Sequence, residues 1–152
     1  VGLALGSKIV NDGAHIYCII GDGESQEGQI WEAAGFGGAQ KLDHLIAFLD
    51  LNGQQLDDYT KNIIPADAEA MAKRWESFGW DVYSIDGHDF EAIDDAVRSA
   101  KSKAGKAHMI ILNTNKSQGY IPGEGIKGNH SMPITKDGAE EAIQALKERE
   151  GR

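Results

Sequence analysis

A chain of 152 residues with 41% apolar content is expected to fold as one domain, 1–152, around one core. Its net charge of −9, from 15 basic and 24 acidic residues, comes without a Lys/Arg cluster, which argues against a nucleic-acid surface or an anionic membrane as its main partner. An anionic ligand would therefore need a metal ion or local backbone donors. Cys18 is the only cysteine, so no disulfide framework is possible, and no membrane-length apolar run or signal-peptide pattern is present. These features lead to the expectation of a reducing, cytoplasmic setting. The opening VGLALGSKIV reads like the middle of a helix without an initiator Met, and upstream sequence is expected to be missing.

Helical spacing of Leu3, Leu5, Ile9 and Val10 predicts a first helix over 1–10, stopped at Asp12-Gly13. The apolar run His15 to Ile20 predicts a strand buried on both faces of a parallel sheet. A second helix is expected from Gln26 to Lys41, although Gly28, Gly35, Gly37 and Gly38 would each cost about 1 kcal/mol in a helix interior. Such a helix calls for close approach to another backbone, and its glycine face also suggests a partner surface. Leu45 to Leu49 predicts the second strand, followed by a polar connection over 52–66. A third helix is expected from Asp67 to Phe78 with Gly79 as its stop, then a strand from Asp81 to Ile85. Asp89 should cap a helix from Phe90 to Lys101, and His108 to Leu112 reads as the fourth strand. The segment from Asn113 to Thr135 has no periodicity and carries Gly119, Gly123, Gly125 and Gly128, the pattern of a functional loop or a disordered one. Thr135 should cap a last helix from Lys136 to Glu150. Strands alternating with helical patterns predict an α/β fold, a parallel sheet flanked by helices.

Chemistry concentrates between Gly21 and Asn52. Asp22 stands at the mouth of the first strand and Asn52 at the mouth of the second. Asp-Gly is also a strong hairpin turn, yet ESQEGQIWEAAGFGGAQ, which follows it, has neither the alternation nor the β-branched density of a returning strand. In open parallel sheets ligands bind beyond the carboxyl ends of the strands. If the two strands are parallel neighbours, Asp22 and Asn52 face one another across one cleft, and with a backbone carbonyl beside Asn52 they suit an octahedral Mg²⁺. The amides of Gly23 and of the start of the second helix would then donate to ligand phosphates.

GDG followed by EG, with an Asn closing the next strand, resembles the thiamine diphosphate signature. The wider phrases GDGESQEGQIWEAA, KLDHLIAFLDLNGQQLD, ESFGWDVYSIDGHD and GNHSMP resemble the N-terminal, diphosphate-binding part of transketolase over nearly the whole chain. The resemblance implies a thiamin diphosphate-binding fold and transfer of a two-carbon ketol unit between sugar phosphates, in the pentose phosphate pathway. It implies that Asp22 and Asn52 are the side-chain Mg²⁺ ligands, with Gln54 completing the set through its main-chain carbonyl, and that Gly23 belongs to the cofactor site. Glu27 matches a carboxylate that relays protons with an acidic partner across a dimer interface; its alternative role is first-turn helix stabilisation. His130 matches a histidine that approaches the reactive region of the cofactor and the substrate, carried on a loop able to close. Asn129 stands before it where many relatives have a bulkier residue. His88 reads as part of a turn, and His15, His44 and His108, at strand starts, read as structural.

The resemblance also implies that the glycine-rich segment with cofactor-facing histidines would precede Val1. The glutamate that activates the aminopyrimidine ring would come from a separate pyrimidine-binding domain or chain, in a homo- or hetero-oligomer. Two rival readings remain open: an E1 α-like subunit of a 2-oxo acid dehydrogenase, and a non-catalytic cofactor-binding or assembly module.

Overall fold

The computed structural model describes residues 1–149 and 151. Among these residues five α-helices and four strands follow one another: α1 (Gly2–Val10), β1 (Ile16–Gly21), α2 (Gly28–Ala39), β2 (Leu45–Leu51), α3 (Ala68–Ser77), β3 (Asp81–Asp86), α4 (Phe90–Ser102), β4 (His108–Asn113) and α5 (Lys136–Arg149). All strand pairs are parallel, in the order β1-β2-β4-β3. The expected parallel α/β architecture is therefore the observed one. Its registers put Gly21 opposite Asp50 and Leu51 opposite Asn113, so the chain leaves β1, β2 and β4 at one level.

The alternation of β2 divides the core. Leu45, Ala47, Leu49 and Leu51 turn to one face, where they meet Ala34, Met71, Trp75 and Trp80. Ile46 turns to the other, where it packs with Ile110 against Ala96 and Ala100 of α4.

Local chemistry sets the helix starts, at Asp89 and Thr135 as expected and at Asp67, which caps the third helix and is not its first residue. The Asp67 side chain accepts from Ala70 N (2.8 Å), Asp89 accepts from Glu91 N and Ala92 N (2.9 and 3.1 Å), and Thr135 Oγ1 accepts from Gly138 N (3.1 Å). The expected end of the last helix, Glu150, lies outside the described residues.

Four further expectations need correction. The first helix is closed by Asn11, which itself takes the left-handed conformation (φ 55°), ahead of Asp12-Gly13. β1 is an edge strand and not buried on both faces: its one strand neighbour is β2, and Tyr17 and Ile19 are 49% and 75% exposed. The second helix does not start at Gln26 or reach Lys41. Glu24–Gln26 form a 3₁₀ turn, Glu27 is extended (φ −65°, ψ 130°), and α2 begins only at Gly28. Lastly, the glycine face of α2 is covered within the chain. Trp80 donates its indole N–H to the Ala34 carbonyl (2.8 Å), its ring faces Gly37, and the Phe78 carbonyl presses on Gly38. Around this contact Trp31, Trp75, Trp80 and Phe78 form an aromatic cluster with ring centroids 5.0 to 6.0 Å apart.

A Cβ at Gly38 would be driven into the Phe78 carbonyl, whereas one at Gly28 meets nothing within 4 Å. Gly38→Ala is therefore expected to cost about 2 kcal/mol or more by overpacking, while Gly28→Ala should be neutral or gain up to about 1 kcal/mol. Urea denaturation of the two variants checks this. Equal midpoints would show that α2 and the 78–80 segment do not pack this closely.

Candidate functional site

Beyond the carboxyl ends of β1, β2 and β4 lies a cavity of about 600 Å³. Asp22, Gly23, Glu27, Asn52, Gln54 and His130 all line it, although they come from three separate segments of the chain. Asp22 is the most buried of them, at 2% exposure. Its Oδ1 accepts from Gly23 N (2.8 Å), and its Oδ2 accepts from Gly53 N (2.8 Å) and Thr60 Oγ1 (2.9 Å). Burial pushes the Asp22 carboxyl above its ordinary value; the three hydrogen bonds oppose this by favouring the charged form, and the nearby Asp50 charge adds to the rise. Gly53 takes φ 73°, the left-handed conformation by which the chain doubles back and aims its amide at Asp22.

Asn52 is half-buried. Its Oδ1 accepts from Gln54 N (3.0 Å) and its Nδ2 donates to Asp50 Oδ2 (2.8 Å). The Oδ1 of Asp50 in turn accepts from the Thr114 hydroxyl, just past β4. Among the described residues no three His, Cys, Asp or Glu side chains converge as a metal cluster. A cation in this cleft would depend on one carboxylate, one amide oxygen and backbone carbonyls, a set of hard oxygen donors. Those donors keep capacity: a carboxylate has about four lone-pair sites and an amide oxygen two, so three bonds to Asp22 and one to the Asn52 oxygen leave room for a cation. The Gly23 amide is different. It is consumed by the Asp22 side chain, contrary to the expectation that it faces a phosphate.

Glu27 is exposed at the N-cap of α2, one position ahead of the first turn, and makes no side-chain cap bond, though its carboxylate still stands at the positive end of the helix. His130 is exposed on the 113–135 loop, with Nδ1 3.4 Å from Lys116 Nζ. That loop is held from several sides. Asn129, buried in it, donates to Ser117 Oγ (3.2 Å) and the Gly123 carbonyl, and Arg149 of α5 reaches Glu124 (3.3 Å). His88 does more than shape its own turn, because its Nε2 accepts from Asn115 N (2.8 Å) and pins the start of the loop.

Asp50, Thr60, Thr114 and Lys116 did not stand out in the sequence. Asp50 carried a usable signal, being two residues before Asn52 and so on the same face of the strand. Thr114 and Lys116 carried none, since their place depends on β4 lying beside β2.

The family model described as transketolase, thiamine diphosphate binding domain, matches residues 5–151. The chain belongs to the transketolase family. A Clostridium sp. (strain MSTE9) protein, the 6-deoxy-6-sulfo-D-fructose transketolase subunit SqwG, is 48% identical over 99% of this chain and 54% of its own length. An apulose-4-phosphate transketolase subunit of Phocaeicola vulgatus is 38% identical over 98% of this chain and 52% of its own. The chain thus spans about half the length of these two relatives. Among solved structures, the Campylobacter jejuni transketolase superposes with a TM-score of 0.80 at 33% identity, covering 97% of this chain and 23% of that one. A Pichia stipitis transketolase in complex with sedoheptulose-7-phosphate gives 0.83 at 27% identity, covering 95% of this chain and 23% of the other. The parallel sheet and its flanking helices are those of the thiamine diphosphate-binding α/β fold.

The 53–66 connection and the 113–135 loop are joined beside the cavity by Lys127 Nζ on Asp58 Oδ1 (2.7 Å) and by Tyr59 Oη donating to the Gly125 carbonyl (3.5 Å). The Lys127 ammonium, with Tyr59 N and the Asn62 side chain, holds the Asp58 carboxyl down at about 2. A folded value below the unfolded one means that this contact is complete above the usual carboxylate range and is lost as pH falls toward 2. The ¹³C resonance of the Asp58 carboxyl should accordingly titrate near 2, and Lys127→Met should raise it toward the usual range, with Tyr59 N and the Asn62 side chain still lowering it. An ordinary titration in the unsubstituted chain would mean that the two loops are not joined in solution.

Proposed function

We propose that this chain is the diphosphate-binding half of a thiamine diphosphate- and Mg²⁺-dependent transketolase, which moves a two-carbon ketol unit between sugar phosphates once a pyrimidine-binding chain or domain completes the site. The observation that carries the metal is electrostatic. The cavity is lined by the carboxylates Asp22, Glu24, Glu27, Asp50 and Asp57 against a single lysine, Lys116. A diphosphate does not enter such a site on its own charge, and a divalent cation reverses the local field. Asp22, Asn52 and the Gln54 carbonyl are the oxygen donors that would hold it, at the ends of two adjacent parallel strands. When bound, the thiazolium of the cofactor supplies the carbanion that carries the two-carbon unit.

The remaining roles belong to this chain's own groups. The Gly28 and Gln29 amides, which follow the cavity-lining Glu27 and receive no side-chain cap, would be the α2 donors to a phosphate in place of Gly23 N–H, while the Ile30 amide is already bonded to the Glu27 carbonyl. His130, on its loop at the cavity and with Nδ1 3.4 Å from Lys116 Nζ, is placed to exchange a proton with a substrate oxygen. Glu27, exposed and making no side-chain cap bond, is available for an acidic partner across a protein–protein contact. The names and lengths of the two bacterial relatives support a two-chain enzyme.

Titration calorimetry with thiamine diphosphate, with and without Mg²⁺, tests the reading on this chain alone and mixed with a pyrimidine-binding chain. Binding should require Mg²⁺, and Asn52→Ala should weaken it by about tenfold or more, the least expected when even an outer partner of a ligand is lost, with an unchanged circular dichroism spectrum. Metal-independent binding, or none in either format, would sink the cofactor assignment. Binding without ketol transfer in the mixture would sink the transketolase activity.

A further inference from the structure

Asp50 is the junction of the three strand ends that build the cavity. Its backbone carbonyl accepts from Asp22 N (3.2 Å) beyond β1, its Oδ2 accepts from Asn52 Nδ2 (2.8 Å) beyond β2, and its Oδ1 accepts from the Thr114 hydroxyl beyond β4. A carboxylate only accepts, whereas an amide side chain has one donating and one accepting end that would otherwise exchange places at little cost. By taking the Asn52 NH₂, Asp50 determines that the amide oxygen is the end left for Gln54 N and the cleft. Through Thr114 the same carboxylate grips the root of the loop two residues before Lys116. That loop goes on to His130.

We propose that Asp50 is a positioning residue: it orients Asn52 as an oxygen donor to the cation and, through Thr114, ties the loop bearing Lys116 and His130 to the same point. The proposal rests on the magnesium and thiamine diphosphate reading above, and it adds that metal affinity and loop anchorage share one carboxylate. Outer partners that orient a metal ligand are worth about ten- to a hundredfold in metal affinity.

The test is the half-saturating Mg²⁺ concentration at saturating thiamine diphosphate, read by calorimetry, beside hydrogen exchange of segment 113–135. Asp50→Asn should raise the half-saturating concentration by about ten- to a hundredfold and increase exchange at Asn115 and Lys116. Thr114→Val should increase that exchange and leave the magnesium requirement unaltered, and Thr114→Ser should restore protection. The double variant Asp50→Asn with Asn52→Asp swaps carboxylate and amide, keeps their hydrogen bond, and presents an oxygen to the cleft whichever way it turns. It should recover magnesium binding that Asp50→Asn alone loses, which a purely structural role for Asp50 does not explain. If Asp50→Asn fails to fold, the swapped pair and the Thr114 variants decide. A wild-type magnesium requirement in Asp50→Asn, a swap that binds no better than the single variant, or unchanged exchange in Thr114→Val overturns the proposal. Failure of the unsubstituted chain to bind in a magnesium-dependent way instead overturns the cofactor reading, and this inference falls with it.

Discussion

The arrangement depends on one buried carboxylate. Asp22 is held almost out of solvent and accepts from its own neighbour Gly23, from Gly53 and from the Thr60 hydroxyl. Unpaired burial of such a group would be prohibitive. Each donor is therefore also a structural demand: Gly53 must turn left-handed, and the 53–66 connection must fold back so that Thr60 is fully buried beneath it. The parallel register of β1 and β2 brings the two segments to the same level; the carboxylate then locks them.

The cavity is consequently formed by backbone that serves the protein first. Amides and side chains around Asp22 and Asn52 are already hydrogen-bonded within the chain, and what they leave open is oxygen lone pairs, not donors. The site as built favours a hard cation over a bare anion. The protein's overall acidity and the carboxylates of the cavity point the same way, so the preference is expressed both locally and across the whole surface.

Much of this was legible in the sequence where the cause is local. Asp89 and Thr135 are caps because a short polar side chain reaches the free amides of a first turn, and that chemistry needs no tertiary context. Asp22 and Asn52 could be found as strand-end oxygens for the same reason. What escaped the sequence is what neighbours decide. Apolar β1 reads like a strand covered on both faces, but whether Tyr17 and Ile19 are covered depends on where β1 lies in the sheet. The break at Glu27 interrupts a stretch whose propensities run on without a stop. Thr114 and Lys116 enter the site only because β4 is inserted between β2 and β3, an order that no spacing in the chain encodes.

The contact between α2 and the turn before β3 carries a consequence for how such a sequence can diverge. Gly38 touches a backbone carbonyl, and a carbonyl, unlike a side chain, cannot be trimmed by substitution to make room. Any larger residue at that position must be preceded by a shift of the 78–80 turn, which would withdraw Trp80 from the Ala34 carbonyl and leave its indole N–H without a partner. Segments some forty residues apart thus have to change together or not at all, and a replacement harmless in one background becomes unacceptable in another.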